Sequence, residues 1–205
     1  GESATDHTLA GGTLLYDVVG NRWAEEVMER FEISPLKLPS LRWAGEVIGY
    51  VREEIGLNKG TAVVIAGQDQ KCAAFAAGIN QRRVTVSLGT ASAISCLSEH
   101  PLLDPEMRIP LFPFLFPKMW ILEGVVSTAG ASYDWARRVL KARIKSIPPP
   151  QLIRSLPFFL PHLSGASSPL WRKELRGSFH NLSLSTTSED MLLAVLEGVA
   201  FEIRK

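Results

Sequence analysis

The sequence predicts an α/β fold, and three stretches carry that prediction. Thr61–Ala66 is a continuous apolar run followed by the polar turn Gly67-Gln68-Asp69-Gln70 and an alanine-dense segment, Lys71–Ile79. That order reads as a strand buried on both faces, a turn, and a helix. Val84–Leu88 and Ala93–Leu97 are β-rich runs around Gly89-Thr90-Ala91-Ser92, most simply a hairpin. Met119–Val126 is a further strand, leading through Ser127-Thr128-Ala129-Gly130-Ala131-Ser132 into a helix that carries Trp135 and Val139.

From the N-terminus, Thr13–Val18 reads as a short strand ending at a Gly20-Asn21 turn. Trp23, Val27 and Phe31 then recur one helical turn apart between glutamates, which predicts an amphipathic helix closed before Pro35. Val51–Ile55 reads as a brief helical piece stopped by Gly56. Asp104–Pro117 is proline-rich and reads as an irregular surface excursion, and Ile144–Pro150 as a break or linker. Phe158–Ser164 and Gly177–Leu184 flank a polar loop holding Trp171, Arg172 and Arg176. Thr186 and Glu189 form a capping box for the last helix, whose buried face is Leu192, Val195, Leu196, Val199 and Ile203.

The 205 residues suffice for one or two domains, and a net charge of +1 gives no reason to expect a nucleic-acid or acidic-membrane partner. The expectation is therefore no nucleic acid and no membrane, since no apolar run reaches the roughly 18–20 residues that span a bilayer. The first residues show neither a basic start nor an apolar signal core. Cys72 and Cys96 are isolated and read as two reduced thiols, so no metal site is expected and a cytoplasmic protein is the default.

Two turns bring chemistry to strand ends. Asp69 lies at a strand-to-helix turn, where it reads either as a helix N-cap or as a functional carboxylate. The Gly89-Thr90-Ala91-Ser92 turn offers backbone N–H groups and hydroxyls of a kind that hold phosphate, although a hairpin needs small polar residues there anyway. The Ser127–Ser132 turn at a helix start is likewise suited to an anion, or to plain capping. His162 has no partner in sequence and reads as structural.

With those turns placed, the chain resembles the FGGY family of carbohydrate kinases. The markers run in family order: TLLYDV with Trp23 following, GTAVVIAGQDQ, VTVSLGTAS, WILEGVVSTAGASYDW, LPHLSGASSPLW, RGSFHNLSL and MLLAVLEGVAFEIR. The resemblance implies a ribonuclease-H-like fold of the actin and Hsp70 type, with two domains and a cleft between them. It implies ATP and Mg²⁺ as cofactors and a sugar or polyol as substrate. By the same matching, Asp69 is the catalytic base, Gln70 helps hold sugar hydroxyls, Gly89 and Thr90 contact the ATP phosphates, and Gly130 and Asp134 line the nucleotide pocket. The pattern departs at Asn181, where a glycine is usual.

The family's Asp-x-Gly-Thr phosphate turn and its glycine-rich adenine turn do not occur here. The resemblance thus implies the middle of a kinase: the end of the first domain at about residues 1–80 and the beginning of the second at about 81–205. A chain of that extent is expected to be inactive alone and to self-associate through the uncovered edge of the Val84–Leu88 strand. The alternative is a noncatalytic binding or assembly module derived from such a kinase.

Overall fold

The computed structural model describes residues 3–53, 56–145 and 157–205. Residues 146–150 of the expected linker, and residues 54 and 55 of the expected Val51–Ile55 helical piece, lie outside the described residues. In chain order the first elements are β1 (Ala4–Asp6), α1 (His7–Ala10), β2 (Tyr16–Asp17), β3 (Arg22–Trp23), α2 (Glu25–Arg30), β4 (Ser40–Arg42), β5 (Val47–Tyr50), β6 (Ala62–Val64) and α3 (Asp69–Ala76). There follow β7 (Thr85–Leu88), β8 (Ser92–Ser98), β9 (Leu111–Pro113), β10 (Trp120–Val126), α4 (Gly130–Leu140), β11 (Phe158–Leu160), β12 (Ser178–His180) and α5 (Ser188–Arg204).

The described residues divide into two compact units, Gly1–Thr85 with Ser95–Glu123, and Val86–Ile94 with Gly124–Lys205. The dividing points fall inside β7, β8 and β10, so the compact units assign residues 95–123 differently from the sequence-based division near residue 80. Packing explains the difference. Leu97, Phe114, Leu115 and Ile121 share one core with Ala74, near the end of α3, and Ile79, three residues beyond it.

In the first unit, β1 pairs in parallel with β4, and β2 pairs with β3 in a small hairpin around the expected Gly20-Asn21 turn. The α2 helix is present, but it buries Met28 while Phe31 is left exposed. Two expectations are corrected in this unit. Val47–Tyr50 is a strand that pairs antiparallel with β6, and Val51–Glu53 are not helical. Strand β6 is not buried on both faces, because a two-stranded sheet leaves it uncovered: Val63 is 42% and Val64 50% exposed.

The proline-rich stretch is also corrected in its second half. Residues 102–109 are irregular and mostly exposed, but Leu111–Pro113 forms β9, paired with β10, and Phe114 and Leu115 are fully buried. Pro113 is compatible with a strand because β9 is the edge of the sheet order β7-β8-β10-β9, where a missing N–H costs no ladder bond.

In the second unit, α4 and α5 pack with the β11–β12 hairpin, in which Phe159 faces Phe179. Leu192, Ala194 and Val195 of α5 are fully buried there, each large apolar side chain contributing about 1.5–3 kcal/mol on burial. Helix and strand approach closely at Gly198, where an added Cβ would meet the Phe159 carbonyl oxygen at 2.2 Å. The capping box of α5 is one residue later than expected, Thr187 with Asp190. That register puts Thr187 in extended backbone with its hydroxyl on the Asp190 N–H.

Candidate active site

The Gly67–Gln70 turn in the first unit is built by close packing. A Cβ at Gly67 would press on the Leu115 side chain and lie 3.2 Å from Thr8 Oγ1, so any larger residue requires the buried Leu115 to move. The Gln68 N–H donates to Thr8 Oγ1 at 2.7 Å, and the Thr8 hydroxyl in turn donates to Asp6, whose carboxylate caps α1. Thr8 is 60 residues away in sequence, and no local signal announces the pairing.

The N-cap reading of Asp69 does not hold. Gln68 occupies the N-cap position of α3, and its side-chain oxygen accepts from the Lys71 N–H at 3.3 Å. Asp69 is the first helical residue; its carboxylate is exposed and, among the described residues, accepts only locally, from the Gln70 N–H at 2.7 Å. Helix-start amides and the macrodipole favour a negative charge at that position. The Gln70 side chain is half-buried beside it.

Lys71, the next residue along, is a feature that the sequence reading missed. Its ammonium is buried, 2.6 Å from Glu123 Oε2 on β10 and 4.3 Å from the centre of the Phe112 ring. A lysine in the first turn of an alanine-rich helix was the available signal; its partner, 52 residues on, was not.

In the second unit, Gly89-Thr90-Ala91 joins the neighbouring strands β7 and β8, closed by a Gly89 N–H to Ala91 carbonyl bond of 2.9 Å. This turn caps α4. The Gly130 N–H donates to the Gly89 carbonyl at 3.0 Å and the Ala131 N–H to the Thr90 carbonyl at 3.1 Å. Of the two readings of the α4 start, anion site or plain capping, these bonds fit the second, since both amides are already engaged. The same bonds bring three of the sequence-predicted residues together: Gly89, Thr90 and Gly130. Thr90 is exposed at the tip of the turn, and Ser92 Oγ, just beyond it, is buried without a hydrogen-bond partner among the described residues. Asp134 projects from the next turn of α4, exposed, with Arg137 at 3.8 Å.

His162 is buried with Nε2 3.5 Å from Glu202 on α5, a partner 40 residues on in the sequence. Among the described residues no group of three or more His, Cys, Asp or Glu side chains could hold a metal ion, and no helix is long and apolar enough to cross a membrane.

Residues 1–76 match the N-terminal domain of the FGGY family of carbohydrate kinases, and residues 84–205 match its C-terminal domain. A xylulose kinase from Escherichia coli is 28% identical over 212 residues, covering 99% of this chain and 44% of the relative. A gluconokinase from Bacillus subtilis is 28% identical over 223 residues, covering 98% and 43%. The crystal structure described as a xyloylose kinase from Brucella ovis superposes with a TM-score of 0.89 at 26% identity, over 99% of this chain and 44% of that one. The chain thus spans less than half the length of the relatives it matches. Its fold is part of the ribonuclease-H-like fold of actin, Hsp70 and the sugar kinases. With both family domains matched in order, and with Asp69 and the Gly89–Gly130 contact each falling within one of them, the chain belongs to the FGGY family of carbohydrate kinases.

Proposed function

We propose that this chain supplies the catalytic carboxylate and part of the nucleotide site of an ATP-dependent sugar or polyol kinase. The single observation that carries the reading is the division of labour at the start of α3: Gln68 does the capping, and the Asp69 carboxylate is left exposed beside Gln70. A carboxylate so placed serves as general base, accepting the proton of the attacking substrate hydroxyl as the γ-phosphoryl group transfers in line. Gln70 then holds a second substrate hydroxyl. On the nucleotide side, Thr90 presents its hydroxyl to the ATP phosphates from the turn closed by Gly89, while Gly130 and Asp134 line the nucleotide. Mg²⁺ is expected with ATP, but the described residues offer it no ligand set, so no step is routed through it.

The 205-residue chain is proposed to be inactive by itself, because it spans under half of its relatives' length. Self-association is proposed at β7, an edge strand of its sheet on which Val86 is 44% and Leu88 70% exposed. A cytoplasmic site of action fits the two free cysteines.

The test is a coupled ATP-consumption assay against pentoses, hexoses, glycerol and gluconate. No turnover is expected from the chain alone. Turnover is expected when it is completed to the full length of its relatives, with loss on Asp69→Asn. Full activity of that variant removes Asp69 as base. No turnover from the completed protein with any acceptor favours a noncatalytic binding or assembly module.

A further inference from the structure

We propose that Lys71 is a positioning residue for Asp69, acting through its buried ion pair with Glu123; this rests on the reading of Asp69 as the base. Lysine is a poor choice for this place on stability grounds. It lies in the first turn of α3, where the macrodipole disfavours a cation, and its ammonium is withdrawn from water. A leucine or methionine would fill the same volume without either cost. What lysine adds is direction. Its Nζ meets Glu123 Oε2 at 2.6 Å and sits over the Phe112 ring, so the end of the side chain is tied to β9 and β10.

The backbone of the same residue is tied as well. The Lys71 N–H donates to the Gln68 side chain at 3.3 Å, and the Gln68 N–H donates to Thr8 Oγ1 at 2.7 Å. Asp69 lies between these two anchors, and among the described residues its own carboxylate accepts only from the adjacent Gln70 N–H. Its orientation therefore comes from its neighbours: Thr8 holds the turn on one side and the Lys71–Glu123 pair holds it on the other. Asp6 and Glu123 are the carboxylates in this clamp, and neither is the base.

Replacing a buried ion pair by apolar residues of similar volume is often neutral or stabilising, whereas breaking it by removing one partner is destabilising. That contrast separates positioning from mere support. The variants are Lys71→Met, Lys71→Arg and the double variant Lys71→Met with Glu123→Leu. Three quantities are read: thermal midpoint, kcat and KM of the completed kinase, and the labelling rate of Cys72 by a thiol reagent in the 205-residue chain.

Cys72 Sγ lies 3.4 Å from the Gly67 carbonyl and reports on the turn without any turnover, and exposed Cys96 is the internal control. The double variant is expected to melt at or above the wild-type temperature, yet to lose kcat by about tenfold or more with KM nearly unchanged. Cys72 is expected to label faster in it, with Cys96 unchanged. Lys71→Arg, which keeps the charge, is expected to retain most of kcat.

Wild-type kcat and a wild-type Cys72 rate in a folded double variant overturn the proposal. Equal losses in Lys71→Arg and Lys71→Met overturn it too, including where the double variant does not fold. If the completed wild-type protein shows no turnover, the kinase reading fails, and the Cys72 rate still decides whether the pair holds the turn.

Discussion

The Gly130 N–H donates to the Gly89 carbonyl at 3.0 Å, and a Cβ on Gly130 would stand 2.5 Å from that same oxygen. The clash is with backbone, so no side-chain rotation relieves it. Gly130→Ala is expected to lower stability by about 1–3 kcal/mol as the turn or the helix start shifts. Urea unfolding measures this. Gly49→Ala is the control, because nothing lies within 4 Å of its added Cβ, and it is expected to leave the urea midpoint unchanged or raise it.

Asn181, where the resemblance leads one to expect glycine, sits in a turn that suits either residue. Its φ is +61°, in the left-handed region that glycine adopts freely and asparagine tolerates better than other residues with a Cβ. The backbone after β12 thus has a conformation that glycine could also adopt without strain. Asn181→Gly is expected to melt within a few degrees of the wild type. Asn181→Val is expected to cost roughly 1–2 kcal/mol, read from thermal or urea unfolding.

His7 and Tyr16 set a pH window for the first unit. His7 Nδ1 and the Tyr16 hydroxyl are 2.6 Å apart, and the imidazole stacks on Trp43 at 3.7 Å. Burial pushes the His7 pKa below its ordinary 6.5, outweighing the opposing pull of Asp6 and Glu46. The unfolded chain then binds the extra proton more readily, so this contribution is complete above about pH 6.5 and is lost as pH falls through the lowered value. Burial, with Asp17 and Asp6 adding to it, pushes Tyr16 well above its ordinary 10.0. Its contribution is present below pH 10 and lost as pH rises beyond it. Urea midpoints measured from pH 5 to 11 are expected to plateau between these limits. His7→Gln is expected to flatten the acid side and leave the alkaline side in place; an unchanged acid slope would count against the assignment.

Much of the site was legible because its signals are local. The Gly67–Gln70 turn before an alanine-rich helix, the Gly89–Ser92 link between two β-rich runs, and the small-residue start of α4 are each written in a few adjacent residues. So is the apolar period of α5, where Leu192, Val195 and Val199 are buried as their spacing requires. The capping register of that helix was off by one because Thr186 and Thr187 both precede an acidic residue at the right distance, and only backbone geometry separates them.

The sequence by itself determined the order of elements, the family and the two turns that carry its markers, since turn chemistry and periodicity depend on near neighbours. Tertiary structure alone decided what each residue in those turns is free to do. It gave the capping of α3 to Gln68 and left the Asp69 carboxylate exposed. It occupied the first amides of α4 with the carbonyls of Gly89 and Thr90. It also sank Phe114 and Leu115 into the core and joined Lys71 to Glu123. The contacts of Gly89 with Gly130, Lys71 with Glu123 and Thr8 with Gln68 lie between about 40 and 60 residues apart along the chain, beyond the reach of any local pattern. Their energies come from burial and hydrogen bonding that exist only once the strands and helices have packed.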